Sequence, residues 1–279
     1  GTSTSFDSMQ PFLDDIRADL AALKSGGNYR ALREIAPEGD GRSRYDGRVL
    51  CNLSSNDYLG LAGDAELRED FYRQYNGDWR TPELALSSAS SRLLTGNTPA
   101  YARLETALSE LYGGRAALVF NSGYHANIGI LPALAKAGDL VISDKLNHAS
   151  IIDGLRLCGA EFLRYPHVDL DRLEATLASR RHEYKRVFVV TESIFSMDGD
   201  TVDLRRLVAL KERYDCALVV DEAHAVGVRG PKGAGLCAEQ GVAERVDVLI
   251  GTFGKALGST GAYAIMAPEL REYLINHRS

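Results

Sequence analysis

The chain has 279 residues, enough to bury a full core in one large domain or two ordinary ones, and its 45% hydrophobic and 25% charged content is that of a soluble globular protein. A formal charge of -6 and a pI near 5.6 exclude the basic footprint of a nucleic-acid binder. No apolar run approaches the roughly 20 residues of a membrane span, and no charged-then-apolar leader opens the sequence, so we expect a cytoplasmic protein that binds neither membrane nor nucleic acid.

Gly1 to Ser5 are set aside from fold reasoning as a small-residue tail. From 11 to 25, Leu13, Ile16, Leu20 and Leu23 recur at helical spacing and Gly26-Gly27 stops the run, which predicts an amphipathic N-terminal helix. The polar, glycine-containing stretch from Pro37 to Arg48 reads as a turn-rich link, followed by a short strand over 49–53. These observations divide the chain into an N-terminal segment, 1–53, and a large domain, 54–279, that opens on Ser54-Ser55-Asn56-Asp57-Tyr58-Leu59-Gly60.

The stretch 87–97 is too small and polar for a core element, and its hydroxyl residues around Arg92 suit an anion-facing loop. Thr98-Pro99 then caps and starts a helix with an apolar face at Leu104, Leu108 and Leu111 and an end at Gly113-Gly114. Beyond it, strand-like runs at 116–120, 139–143, 161–165, 187–191, 217–221, 246–250 and 261–266 alternate with helical patterns such as Leu170, Leu173, Leu177 and Leu204, Leu207, Leu210. That alternation predicts an α/β fold with a mainly parallel seven-stranded sheet flanked by helices. The Arg180-Arg181 and Arg205-Arg206 pairs read as solvated helix faces. The four cysteines, at 51, 158, 216 and 237, have no zinc spacing and read as buried free thiols; no metal is expected.

In such sheets, ligands sit beyond the carboxyl ends of the strands, and polar residues gather there. Asp221-Glu222-Ala223-His224 spells the acidic box of a helicase family, but the phosphate-binding loop that box requires is absent upstream. Nor does a G-x-G-x-x-G open a helix after a strand. Gly251-Thr252-Phe253-Gly254-Lys255-Ala256-Leu257-Gly258 instead sets one lysine in a glycine-rich turn after a strand, where a desolvated amine can form a Schiff base. A lone Gly-Lys pair is most often a surface loop, so its partners decide. Pyridoxal 5′-phosphate needs a lysine for its aldehyde, a carboxylate for its ring nitrogen, a stacking group, a donor to its phenolic oxygen and a phosphate cup. Lys255, Asp221, His148, His224 and the Ser122-Gly123-Tyr124 turn supply these at successive strand ends.

Taken together, Gly251 to Gly258, Asp221 to Gly227, Thr191 to Asp200, Asn147 to Ser150 and Ser54 to Gly60 resemble the α-oxoamine synthases in order and spacing from about Ser54 onward. This resemblance implies a pyridoxal-phosphate enzyme of the aminotransferase type I fold. It implies that Lys255 holds the cofactor covalently and serves as general base, that Asp221 faces the pyridine nitrogen, and that His148 stacks on the ring and borders the substrate. It places His224 and Ser196 near the phenolic oxygen, Gly123, Tyr124 and Thr252 at the phosphate, and Asn56 and Arg30 toward substrate. Glu192 belongs to the shared motif and is expected to act from behind the residues that touch the cofactor. The implied reaction is a decarboxylative condensation of an amino acid, L-alanine favoured, with an acyl thioester, a pimeloyl chain on coenzyme A or a carrier protein favoured, in a homodimer. Members using glycine or L-serine are the alternatives within the family. A catalytically silent partner subunit is the alternative outside it, and Lys255 argues against that. Family members continue past the position of Ser279 into a smaller domain that closes the site, so a chain ending there is expected to turn over little.

Overall fold

In the computed structural model, residues 10–75, 80–81, 84–85 and 87–277 are described, and Gly1 to Ser5 lie outside them. The chain divides into two compact units, Gly1–Asn52 and Leu53–Ser279. In the first, helix α1 (Gln10–Ser25) carries Leu13, Ile16, Leu20 and Leu23 as an exposed stripe. Strands β1 (Ala36–Gly39), β2 (Arg42–Tyr45) and β3 (Arg48–Cys51) form an antiparallel sheet. This corrects the turn-rich link expected from Pro37 to Arg48. Asp40-Gly41 and Asp46-Gly47 each adopt positive φ at both residues, the backbone of a two-residue hairpin turn. The strands they join are almost wholly exposed, so no alternation of apolar and polar residues marks them.

The second unit contains helices α2 (Ala65–Arg73) and α3 (Pro99–Leu111), then strand β4 (Ala116–Phe120) and helix α4 (Gly123–Leu134). It continues through β5 (Leu140–Asp144), α5 (Ala149–Leu157), β6 (Glu161–Tyr165), α6 (Leu170–Arg180), β7 (Val187–Glu192), α7 (Leu204–Arg213) and β8 (Ala217–Asp221). The short α8 (Leu236–Glu239), β9 (Val248–Thr252), β10 (Ala262–Met266) and α9 (Pro268–Asn276) complete it. The seven strands from β4 onward lie in the order β4-β10-β9-β8-β7-β5-β6, and only β10 runs against its neighbours.

Successive strand residues point to opposite faces, and each face is covered. Ile142, Val189, Leu218 and Leu249 pack with α3, α6 and α7 through Leu108, Leu173, Leu177, Leu204 and Leu207. Val141, Val190, Val219 and Ile250 pack with α4 and α5 through Ile130, Leu131, Ile151 and Leu155. Burial on both faces is why these strands read as continuous apolar runs. Cys216 and Cys237 are buried, Cys158 is half-buried, and Cys51 is exposed, so the expected burial of the thiols does not hold at Cys51. Among the described residues, no helix is long and apolar enough to cross a membrane. The arginine pairs are engaged internally: Arg180 pairs with Glu183 and Glu161, Arg181 donates to the Tyr214 and Asp215 carbonyls, Arg205 to that of Gln240, and Arg206 pairs with Asp171.

The strand directions bring the carboxyl ends of β4, β5, β7, β8 and β9 to one edge of the sheet. The starts of α4 and α5 follow directly from β4 and β5 at that edge.

Candidate active site

Lys255 lies in the turn between the antiparallel strands β9 and β10. Gly251, on β9, lets the buried Tyr263 ring of β10 lie across the strand, for a side-chain carbon there would sit inside that ring. The turn is closed by Phe253 N–H to Gly261 and Ser259 N–H to Phe253. The Thr252 hydroxyl donates to the Gly261 carbonyl (3.1 Å) and accepts from Gly254 N–H (3.1 Å), so contact with a phosphate oxygen requires that hydroxyl to turn. Burial lowers the pKa of the Lys255 amine, with the charges of Asp221 and Glu192 opposing the shift. Its Nζ stands 3.0 Å from His224 Nε2.

The Asp-Glu-Ala-His tetrad after β8 divides its side chains between site and core. Glu222 is buried and accepts from Leu236 N–H (2.7 Å) and Cys237 N–H (2.9 Å), which fastens the start of α8. Asp221 accepts from Ala223 N–H (2.9 Å), forming a tight turn that brings His224 back toward the strand edge. Burial, then the neighbouring Lys255, push the His224 pKa down to about 4. At neutral pH its ring is therefore uncharged and offers one bare nitrogen. His224 Nδ1 is 2.7 Å from the Tyr58 hydroxyl, which donates to Asn56 Oδ1 (3.1 Å). A lysine, a neutral imidazole, a phenol and an amide thus form one hydrogen-bonded file.

A second file runs through Asp221. Asn127 Nδ2 donates to Asp221 Oδ2 (3.1 Å) and to Ser150 Oγ (3.0 Å), and Ser150 Oγ meets His148 Nδ1 at 2.8 Å. Glu192 pairs with Asp221 across β7 and β8. Burial first, and then Asp221, raise the Glu192 pKa to about 8, and its Oε2 has no protein partner. Asn147 braces the same edge, accepting from Glu192 N–H (3.1 Å) and donating to Ser143 Oγ and Val190 O.

Gly123 and Tyr124 occupy the first turn of α4, whose N-cap Ser122 accepts from His125 N–H. First-turn N–H groups lack intrahelical partners and point at whatever lies beyond the helix start. The Tyr124 hydroxyl itself turns to Asp153 (3.3 Å). Ser196 is exposed on the turn after β7. That turn is held by His167, whose two ring nitrogens face Asp144 (2.9 Å) and Asp200 (2.7 Å), an arrangement that raises its pKa against the effect of burial. Arg30 belongs to the N-terminal unit, where it is exposed between α1 and β1. Arg92 already has its anion: it pairs with the buried Glu105 (2.9 Å) and donates to Asn97.

Residues 48–279 match the family described as aminotransferase class I and II. The chain is 54% identical over 266 residues to an 8-amino-7-oxononanoate synthase of Chlorobaculum parvum, covering 95% of this chain and 68% of the relative. It is 52% identical to a putative 8-amino-7-oxononanoate synthase of Pasteurella multocida, covering 92% of this chain and 65% of the relative. A serine palmitoyltransferase structure from Sphingomonas wittichii superposes with a TM-score of 0.81 at 31% identity, over 95% of this chain and 65% of that one.

The chain belongs to the aminotransferase class I and II family. Within it the chain is an α-oxoamine synthase relative, of a pyridoxal-phosphate-dependent group, and it spans about two thirds of the length of the relatives it matches. The residues present in this family member suit that cofactor: a desolvated amine, a carboxylate and two imidazoles share the strand edge with a helix start that offers free N–H groups. Sequence reasoning missed Tyr58, Asn127, Ser150 and His167. Tyr58 and Ser150 lie inside motif stretches and Asn127 just beyond the Ser122-Gly123-Tyr124 turn, but what identifies them is a partner far along the chain.

Proposed function

We propose that this chain carries the cofactor-holding core of an 8-amino-7-oxononanoate synthase, a step of biotin synthesis that joins L-alanine to a pimeloyl thioester with loss of carbon dioxide. The observation that carries this reading is the half-buried Lys255 amine, depressed in pKa and 3.0 Å from an uncharged His224, on the sheet edge that also bears Asp221. Pyridoxal phosphate, when bound, supplies the electron sink for the α-carbon of the amino acid. Lys255 would hold its aldehyde, Asp221 would face its ring nitrogen, and His148 would lie against its ring. His224 with Ser196 would meet the phenolic oxygen. The Gly123 and Tyr124 N–H groups, with Thr252, would meet the phosphate. Asn56 would meet the amino acid, a role supported by the hydrogen-bonded file that joins it through Tyr58 and His224 to Lys255.

The Lys255 amine would serve as the base for the α-proton, and desolvation keeps it unprotonated nearer neutral pH than an exposed lysine. His224 Nε2 accepts a hydrogen bond from that amine and so helps to orient its single lone pair. A cytoplasmic homodimer is part of the proposal, and sedimentation of the cofactor-loaded protein tests the dimer.

Purified protein loaded with pyridoxal phosphate and freed of unbound cofactor by gel filtration should keep a yellow absorbance band that is absent in Lys255→Ala. A band that persists in the variant would remove Lys255 from its role. The superposition on a serine palmitoyltransferase supports a second reading, in which L-serine is the amino acid. L-alanine, glycine and L-serine added separately distinguish the two: the substrate is the one that perturbs the cofactor band at the lowest concentration.

A further inference from the structure

We propose that Asn127 and Ser150 are positioning residues that tie the His148 ring to the Asp221 carboxylate and fix which imidazole nitrogen carries the proton. The consequence for catalysis rests on the cofactor reading above; the hydrogen-bond polarity does not.

Both ends of the file dictate its direction. A carboxylate offers only lone pairs, so the Asn127 amide must turn its nitrogen to Asp221, and the second N–H of that nitrogen then goes to Ser150 Oγ. The Ser150 hydroxyl, which accepts there, keeps its own proton free for His148 Nδ1 at 2.8 Å. The Ser150 backbone N–H, whose character cannot change, points at the same nitrogen from 3.2 Å. With two donors aimed at it, Nδ1 is the bare nitrogen and Nε2 carries the proton, free of any protein partner among the described residues. His148 is thereby presented as a donor at Nε2.

The arrangement has a cost that a purely structural residue would not carry. Asn127 is only 1% exposed and its Oδ1 has no protein partner, so one half of the amide is desolvated without return while the other half serves Asp221 and Ser150. Asn127 and Ser150 meet because α4 and α5 approach closely at Gly154, where a side-chain carbon would lie 2.7 Å from the Asn127 carbonyl oxygen. Close helix packing, a buried amide with an idle oxygen and an N-cap histidine all serve one ring.

The test reads the tautomer directly, in 15N-histidine-labelled protein without cofactor, by long-range 1H–15N correlation. The wild-type His148 is expected to show a protonated Nε2 and a bare Nδ1. Ser150→Ala removes the nearer donor and leaves only the backbone N–H at 3.2 Å, so it should admit a minor Nδ1–H population that the wild type lacks, and Ser150→Thr, which keeps the hydroxyl, should restore the wild-type pattern. Asn127→Ala should weaken pyridoxal phosphate binding about tenfold, the order expected when one hydrogen bond in a charged file is lost. A protonated Nδ1 in the wild type overturns the proposal without recourse to any variant. So does an unmixed Nε2–H tautomer in a Ser150→Ala protein with native far-ultraviolet dichroism. Failure of the wild type to take up pyridoxal phosphate, with the tautomer pattern as expected, would sink the cofactor reading and leave the file standing.

Discussion

Glu192 has an environment hostile to its charge. It is 3% exposed, one carboxyl oxygen is unpartnered, and Asp221 sits opposite it on the neighbouring strand. The folded protein holds a proton on Glu192 up to about pH 8, while the unfolded chain releases it near 4.5. Between those values the native state binds more protons than the unfolded one, so stability present below pH 4.5 is lost as pH rises toward 8. Glutamine mimics the protonated carboxyl and cannot ionise. Glu192→Gln is therefore expected to match wild type near pH 5 and to exceed it by on the order of a few kcal/mol at pH 8 and above. Urea midpoints at the two pH values check this, and parallel pH dependences of the two proteins would show that Glu192 carries no such burden. Sequence alone placed Glu192 in the motif but could not show the charge opposite it. Lys255, Asp221, His224 and His148 were legible because few chemistries demand those residue types at successive strand ends. Tyr58 was not, because its phenol matters only through His224, 166 residues further along the chain.

Elements were readable where burial imposes a period and were lost where it does not. The inner strands of the large sheet stood out because both their faces are covered, and the helices between them because each buries one stripe. The two hairpins over 36–51 escaped notice, although Asp-Gly at each turn is the usual hairpin signal, because no apolar alternation accompanied it. Packing of one helix on another was also invisible: nothing in the α5 pattern reveals that Gly154 faces the α4 backbone. Since an added methyl group would lie 2.7 Å from the Asn127 carbonyl oxygen, Gly154→Ala must push α4 and α5 apart. Despite alanine's better helix propensity, we expect a loss of about 1–3 kcal/mol, the usual cost of overpacking. Because Asn127 and Ser150 sit on those two helices, pyridoxal phosphate affinity should fall with it. Equilibrium unfolding and absorbance titration of the one variant check both, and unchanged affinity in a destabilised protein would mean that the site tolerates the helix shift.

At the scale of the molecule, the site is an edge of the core rather than an addition to it. Asp221, Glu192 and Thr252 are the last residues of β8, β7 and β9, and the same strands supply Val220, Val189 and Leu249 to the packed interior. The first turns of α4 and α5 carry Tyr124 and Ser150, while later turns of those helices fill the opposite face of the sheet. A ligand gripped at that edge therefore binds only when sheet and helices are assembled, and mass action must add its binding energy to the stability of the whole second unit. Pyridoxal phosphate at 100 times its dissociation constant should add about 2.7 kcal/mol. For a unit of this size that raises the melting temperature by about 5–10 °C. In Lys255→Ala the covalent part of the interaction is gone, so the shift at the same concentration should shrink to a small fraction. Calorimetry with and without cofactor decides the matter: an unshifted main transition in wild type would place the cofactor away from the core edge, and an equal shift in the variant would place it away from Lys255.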